Sequence, residues 1–135
     1  MVEEFIKGRE FTCGVVKRNN EVTVLPVTEI KSSKEFFDFE AKYTPGLTEE
    51  ITPADIDPEI LKTVHQNLKR SYLALNCRGV VRIDFFLQEG TSKFYFLEVN
   101  TVPGQTETSL IPQQVAAMGW NISDFYSSLI EEAVR

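Results

Sequence analysis

The chain has little of what several chemistries need. It holds two cysteines, one histidine and one tryptophan in 135 residues. Cys13 and Cys77 stand far apart, without CxxC spacing and without a nearby histidine in sequence, which argues against a zinc site. Thiols used this sparsely fit a reducing compartment, so the expected location is cytoplasmic. No apolar run approaches the ~20 residues that cross a bilayer, and no basic segment followed by an apolar one opens the chain. Neither a membrane partner nor a secretory leader is therefore expected. Positive charge is also short: 14 Lys and Arg stand against 20 Asp and Glu, a formal net charge of -6. That balance argues against a domain that binds nucleic acid through a basic surface. It also makes an anionic ligand unwelcome unless metal ions or another protein segment supply positive charge.

What is present fits one globular domain. Hydrophobic residues make up 42% and charged residues 25%, and a chain of this length can bury a single core. The opening VEEFIKGREFT begins as though in the middle of something, which suggests a longer parent. Glu10 to Val16 and Val22 to Ile30 read as β-branched strands, joined through RNNE, whose asparagine pair favours a tight turn. A third strand is expected over Phe36 to Tyr43. The stretch TPGLTEEITPADIDP, rich in proline and acid, reads as an ordered loop. Asp57-Pro58 is a strong helix start, and apolar positions from Ile60 to Leu75 recur near helical spacing to about Asn76. Strands over Val80 to Leu87 and Phe94 to Val99 follow, then a short helix around Pro112 to Met118 and a last one from about Ser123 to Val134. The order predicts an α+β fold with a mostly antiparallel sheet packed against helices.

The most informative stretch is VVRIDFFLQEGTSKFYFLEVN. Alternation along the first strand puts Arg82, Asp84 and Phe86 on one face; in the second, Phe94, Phe96, Glu98 and Asn100 share a face. A three-residue turn at Gly90-Thr91-Ser92 sets Phe86 opposite Phe96, Asp84 opposite Glu98 and Arg82 opposite Asn100. Two opposed carboxylates ~4 Å apart repel by about 4 kcal/mol at an effective dielectric near 20. Relief can come from protonation, from Arg82, or from a divalent cation, for which oxygen ligands suit magnesium or manganese better than zinc. A surface salt-bridge cluster is the plainer alternative.

Several segments in order and spacing carry a resemblance: GREFT near the start, EAKY in the middle, GVVRIDFF, and LEVNTVPGQTETSLIPQQVAAMGW. Together they resemble the C-terminal part of the ATP-grasp fold in D-alanine-D-alanine ligases, and the likeness runs the length of the chain. The resemblance implies a three-domain enzyme of which this chain is the last domain, 1–135, with N-terminal and central domains as its missing partners. It further implies ATP-dependent joining of two D-alanines through an acyl phosphate, for peptidoglycan precursors, with ATP and two Mg2+ or Mn2+ as cofactors. A homodimer is one assembly open to the full-length enzyme.

By the same resemblance, Glu10 in GREFT matches the acid that binds the ATP ribose, and Glu3 lies in the segment that meets adenine. Lys42 and Tyr43 match a mobile loop that closes over the phosphates and substrate. Asp84, Glu98 and Asn100 match the metal ligands. Arg82 matches the residue that steadies charge on the substrate carbonyl oxygen, together with the backbone N–H of Gly104. Ser109 and Leu110 match positions holding the carboxylate of the second D-alanine. The isolated domain is expected to be inactive, because the phosphate loop and further lysines belong to the absent domains. Alternatives are a D-alanyl-D-lactate ligase, against which the tyrosine of EAKY weighs, and a non-catalytic ATP-grasp-like binding module.

Taken alone, Glu10 reads equally as an edge-strand acid, and Lys42 and Tyr43 as an exposed strand end. His65 reads as a half-exposed helix residue without chemistry. The acids from Glu49 to Glu59 lack EF-hand spacing and read as a solvated face with a helix cap. Trp120, Phe125, Leu129 and Ile130 read as core.

Overall fold

Arg18 and Glu21 face each other across a two-residue turn whose asparagines, Asn19 (φ 52°) and Asn20 (φ 64°), both lie in the left-handed region. Asparagine tolerates that region better than other residues with a β-carbon, and such a pair closes a hairpin with the right twist. The turn joins β1 (Gly8–Arg18) to β2 (Glu21–Val24), as RNNE predicts. The computed structural model describes residues 1–32 and 48–134.

The single strand expected over Val22 to Ile30 is two strands, β2 and β3 (Thr28–Ser32), both antiparallel to β1. Pro26 lies between them and has no N–H to offer a ladder. At that break β1 changes partner, from Thr28 opposite Thr12 to Val24 opposite Val15. A buried side-chain amide fills the gap. Gln114 Oε1 accepts from the Gly14 N–H at 2.7 Å, while Nε2 donates to the Thr12 carbonyl at 3.2 Å and to Thr28 Oγ1 at 2.9 Å. Polar groups buried without a partner cost about 1–3 kcal/mol each, which is the reason a glutamine sits in this core.

β4 (Thr48–Ile51) pairs with β3, placing Lys31 opposite Glu49, within a stretch expected to be loop. Four residues flanked by prolines are too few to show a period. The strand exists because β3 offers it a row of backbone groups. The strand expected over Phe36 to Tyr43 falls outside the described residues. β5 (Val80–Gln88) and β6 (Phe94–Asn100) complete an antiparallel sheet in the order β4-β3-β1-β5-β6, with β2 also on β1. β1 is therefore central, and Glu10 is not an edge-strand residue.

The β5–β6 hairpin keeps the expected rungs Arg82–Asn100 and Asp84–Glu98, then departs from expectation. Phe85 faces Phe96 and Phe86 faces Tyr95, so Leu97 is the extra residue of a bulge. At the tip, the Gln88 N–H donates to the Lys93 carbonyl at 2.9 Å, which makes the loop four residues rather than three. Phe94 and Glu98 consequently do not share a face. The physical reason is in the packing: Phe94 stacks on buried Phe85 with ring centroids 4.8 Å apart. Strict alternation would have pulled either that ring out of the core or Glu98 into it.

α1 (Pro58–Ala74) starts where Asp57 accepts from the Glu59 N–H at 3.0 Å, and buries Val64, Leu68 and Tyr72 at four-residue spacing. These pack on Phe11, Cys13, Val15, Val81, Ile83 and Phe85, all at most 1% exposed. Burial pushes the Cys13 thiol pKa well up, so it is inert packing. Cys77 is only half-buried and is shifted up by burial as well. Leu73 and Leu75 lie off the buried stripe and are exposed. α2 (Leu110–Ala117) and α3 (Ile122–Ala133) cover the opposite face around Val16, Leu25, Ile111, Val115 and Phe125. Gly14 permits their approach: a methyl there would come within 2.6 Å of Ile111 Cδ1 and 2.7 Å of Leu25 Cδ1. Trp120 and Leu129 pack at the margin of this core, and the Arg18 guanidinium lies 4.3 Å from the Trp120 ring centre. Ile130, expected in the core, is 66% exposed because it follows Leu129 by one position, about 100° around the helix. Among the described residues no helix is long and apolar enough to cross a membrane.

Candidate functional site

Pairing carries the polar residues of β5 and β6 onto the sheet face that α2 and α3 cover in part. Glu10 stands opposite Phe86, Thr12 opposite Asp84 and Gly14 opposite Arg82; Asp84 and Arg82 in turn face Glu98 and Asn100. Adjacent rungs on one face bring Arg82, Asp84, Glu98 and Asn100 into a single patch. Asp84 Oδ1 accepts from Thr12 Oγ1 at 2.6 Å and from Arg82 Nε at 3.2 Å; Arg82 Nη2 reaches Oδ2 at 3.4 Å. Of the three ways to relieve the opposed acids, the arginine is the one visible in the geometry. The Asp84 side chain is 15% exposed, whereas Glu98 stands in the open.

A cleft of about 740 Å³ opens over this face between the N-terminal segment and β6. Its lining includes Glu3, Glu4, Glu10, Asp84 and Glu98, with Phe5, Phe86 and Tyr95 as apolar walls, and among the described residues no Lys or Arg lines it. The charged side chains among these lining residues are all acids. The charge argument made from composition thus has a location. Any anionic ligand here needs cations carried in with it or supplied by another segment.

The remaining predicted residues follow β6. Asn100 Oδ1 accepts from the Val102 N–H at 3.1 Å, which fixes the start of the loop. Thr106 and Ser109 close its far end through a 2.6 Å hydroxyl pair, and the Thr106 N–H donates to Ser109 Oγ at 3.1 Å. Gly104 lies against this closure, since a methyl on it would stand 2.9 Å from Ser109 Oγ. Ser109 is the residue before α2 and Leu110 its first. The Ser109 hydroxyl serves the loop and makes no capping bond, so the first N–H groups of α2 are not occupied by it. Lys42 and Tyr43 lie outside the described residues.

Among the described residues there is no group of three or more His, Cys, Asp and Glu side chains placed to hold a metal ion. The set is two carboxylates and an amide, all oxygen, on two neighbouring rungs of one face. Among the described residues Asp84 Oδ2 carries only the long contact to Arg82, which leaves it lone pairs to offer. Such ligands fit magnesium or manganese, which keep several waters and need few protein oxygens.

Two residues at this site went unnoticed in sequence. Gln114 follows Ile111 by three and precedes Val115 by one, so helical spacing alone places an amide in an apolar stripe. Thr12 shares a face with Glu10, two residues on, but its link to Asp84 needs the β1–β5 pairing between segments 72 positions apart.

The family model described as D-ala D-ala ligase C-terminus matches residues 1–131. The chain is 44% identical over 131 residues to a D-alanine-D-alanine ligase of Azobacteroides pseudotrichonymphae, covering 97% of this chain and 40% of that protein. Against the D-alanine-D-alanine ligase of Bacteroides fragilis it is 45% identical over 131 residues, covering 97% of this chain and 40% of that protein. A solved Bacillus anthracis D-alanine-D-alanine ligase complexed with ATP superposes with a TM-score of 0.78 at 34% identity, over 98% of this chain and 42% of that one. The VanG D-Ala:D-Ser ligase of Enterococcus faecalis gives 0.77 at 36% identity, over 95% of this chain and 37% of that one. The sheet and its two helical faces are therefore of the ATP-grasp class. The chain belongs to the D-ala D-ala ligase C-terminus family, as its motifs imply. It spans about 40% of the length of the curated relatives it matches.

Proposed function

We propose that this chain is the C-terminal, metal- and nucleotide-binding domain of an ATP-dependent ligase that joins two D-alanines through an acyl phosphate. It works in the cytoplasm with N-terminal and central domains that complete the enzyme. The single observation carrying this reading is the pair of opposed acids, Asp84 and Glu98, with Arg82 and Asn100 on the next rung, in the lining of a cleft whose charged lining residues, among those described, are all acids. Phosphoryl transfer to a carboxylate brings two anions together, so its catalysis is chiefly positioning and charge neutralisation.

In this reading Asp84, Glu98 and Asn100 hold two Mg2+ or Mn2+, which when bound neutralise the phosphates of ATP. Glu3 and Glu10 lie along the cleft and bind the nucleoside part, Glu10 through the ribose hydroxyls. Lys42 and Tyr43 close over the phosphates. Arg82 and the Gly104 N–H donate to the oxygen on which negative charge develops as the second D-alanine adds. Ser109, Leu110 and the N–H groups that open α2 receive the carboxylate of that second substrate, where the helix dipole favours an anion. No nucleophilic side chain is needed.

The test is a chimera in which this chain replaces the matching segment of the Bacteroides fragilis ligase. The expected outcome is D-alanine-dependent release of ADP that requires magnesium and is lost with Glu98→Gln. A chimera that folds and binds ATP but stays inactive, or a Glu98→Gln variant that turns over normally, would sink the proposal. The second substrate is a separate matter. A D-Ala:D-Ser ligase matches this fold about as well as a D-Ala-D-Ala ligase does, so the fold does not choose between them. Offering the chimera D-alanine, D-serine and D-lactate as second substrates decides it, and we expect D-alanine to be preferred.

A further inference from the structure

The Asp84 carboxylate does not choose its own orientation. Its shortest contact is the 2.6 Å hydrogen bond from Thr12 Oγ1, against 3.2 and 3.4 Å for the two from Arg82. Thr12 is buried, at 3% exposure, so its hydroxyl is largely shut off from solvent. Its backbone is held as firmly: the Thr12 carbonyl accepts from Gln114 Nε2 at 3.2 Å, and the same amide grips Thr28 Oγ1 at 2.9 Å and the Gly14 N–H at 2.7 Å. Among the described residues Oδ1 takes two donors and Oδ2 only the long one, so the two oxygens of Asp84 are not equivalent.

We propose that Thr12 is a positioning residue which, by clamping Asp84 Oδ1, turns Oδ2 toward a divalent cation shared with Glu98, with Gln114 fixing Thr12 in place. The inference rests on reading Asp84 as a cation ligand. A short bond from a buried hydroxyl holds a carboxylate at one rotamer, and outer partners of this kind typically change metal affinity by about 10–100-fold when removed. Gln114 gives the arrangement a second consequence. It projects from α2 four residues after Leu110, so the strand that aims Asp84 and the helix that begins at Ser109 and Leu110 are joined through one side chain. Roughly one helical turn separates that join from the helix start.

The experiment is a titration of the 135-residue chain with Mn2+ alone, followed by paramagnetic broadening of the amide resonances of β5 and β6, alongside a thermal melt of each variant. Asp84→Asn is expected to abolish the broadening. Thr12→Val, which keeps the shape and removes the hydroxyl, is expected to need about 10–100-fold more Mn2+ for the same broadening. Thr12→Ser, which restores the hydroxyl, is expected to bind within about threefold of the parent, as a fold-change small beside the outer-partner range. Thr12→Ala serves if the valine does not fold. A purely structural Thr12 would lower the melting temperature and leave Mn2+ affinity alone, and that result overturns the proposal. Broadening that is absent in the parent, or that survives Asp84→Asn, overturns the cation reading and this inference with it.

Discussion

The two faces of β5 are made from one strand and do different things. Val81, Ile83, Phe85 and Leu87 point to α1 and are at most 5% exposed, closed by aromatic stacking and free of charge. Arg82, Asp84, Phe86 and Gln88 point the other way and are half-buried. The first face is a wall whose value lies in excluding water. The second is held half-open by hydrogen bonds, Thr12 and Arg82 on Asp84 and Gln114 on β1. A strand can serve as both because successive side chains share a backbone but no environment. Rigidity of the wall aims the polar side chains.

If that division is right, breaking each face has a different signature. The largest effect on stability is expected on the wall: Phe85→Ala should cost about 3–5 kcal/mol in urea denaturation, since it empties a site stacked from both sides by Phe11 and Phe94. On the other face, Glu98→Gln in the chimeric ligase should lower turnover by at least about 100-fold. Its melting temperature should hold or rise, because one of two opposed carboxylates is gone; a fall of several degrees would contradict the division. Gln114→Leu sits between these cases. It keeps bulk but strands the Gly14 N–H and the Thr12 carbonyl, so about 1–3 kcal/mol for each stranded group should be lost by the same denaturation assay.

The smallest effect concerns pH. Burial, with Lys69 nearby, holds the His65 pKa below its ordinary 6.5. The unfolded chain therefore takes up the proton first as pH falls. The stability carried by neutral His65 is present above 6.5 and is lost as pH drops through the lowered folded value. His65→Gln should lose less stability than the parent between about pH 7 and 5. Equal slopes would show that α1 does not shield this ring.

Parts of the fold, and one rung of the candidate site, were legible in the sequence. The Asn19-Asn20 turn, the Asp57 cap and the Asp84–Glu98 rung all rest on local chemistry or on the simplest hairpin register, and all three are present. The faces of β6 were not legible. Period-two reading put Phe94 with Glu98, whereas the bulge at Leu97 lets each go where its own burial energy sends it. β4 and the break at Pro26 escaped for a related reason: a strand of four residues is defined by its neighbour more than by its own composition.

From its residues alone, this chain was set to fold as α+β with acidic oxygens opposed on one hairpin, because turn chemistry, caps and alternation act over a few positions. Tertiary structure alone decided that Thr12 would grip Asp84 and that Gln114 would mend the ladder of β1. Those contacts join residues 72 and 102 positions apart, and their energy exists only once the sheet and α2 have met.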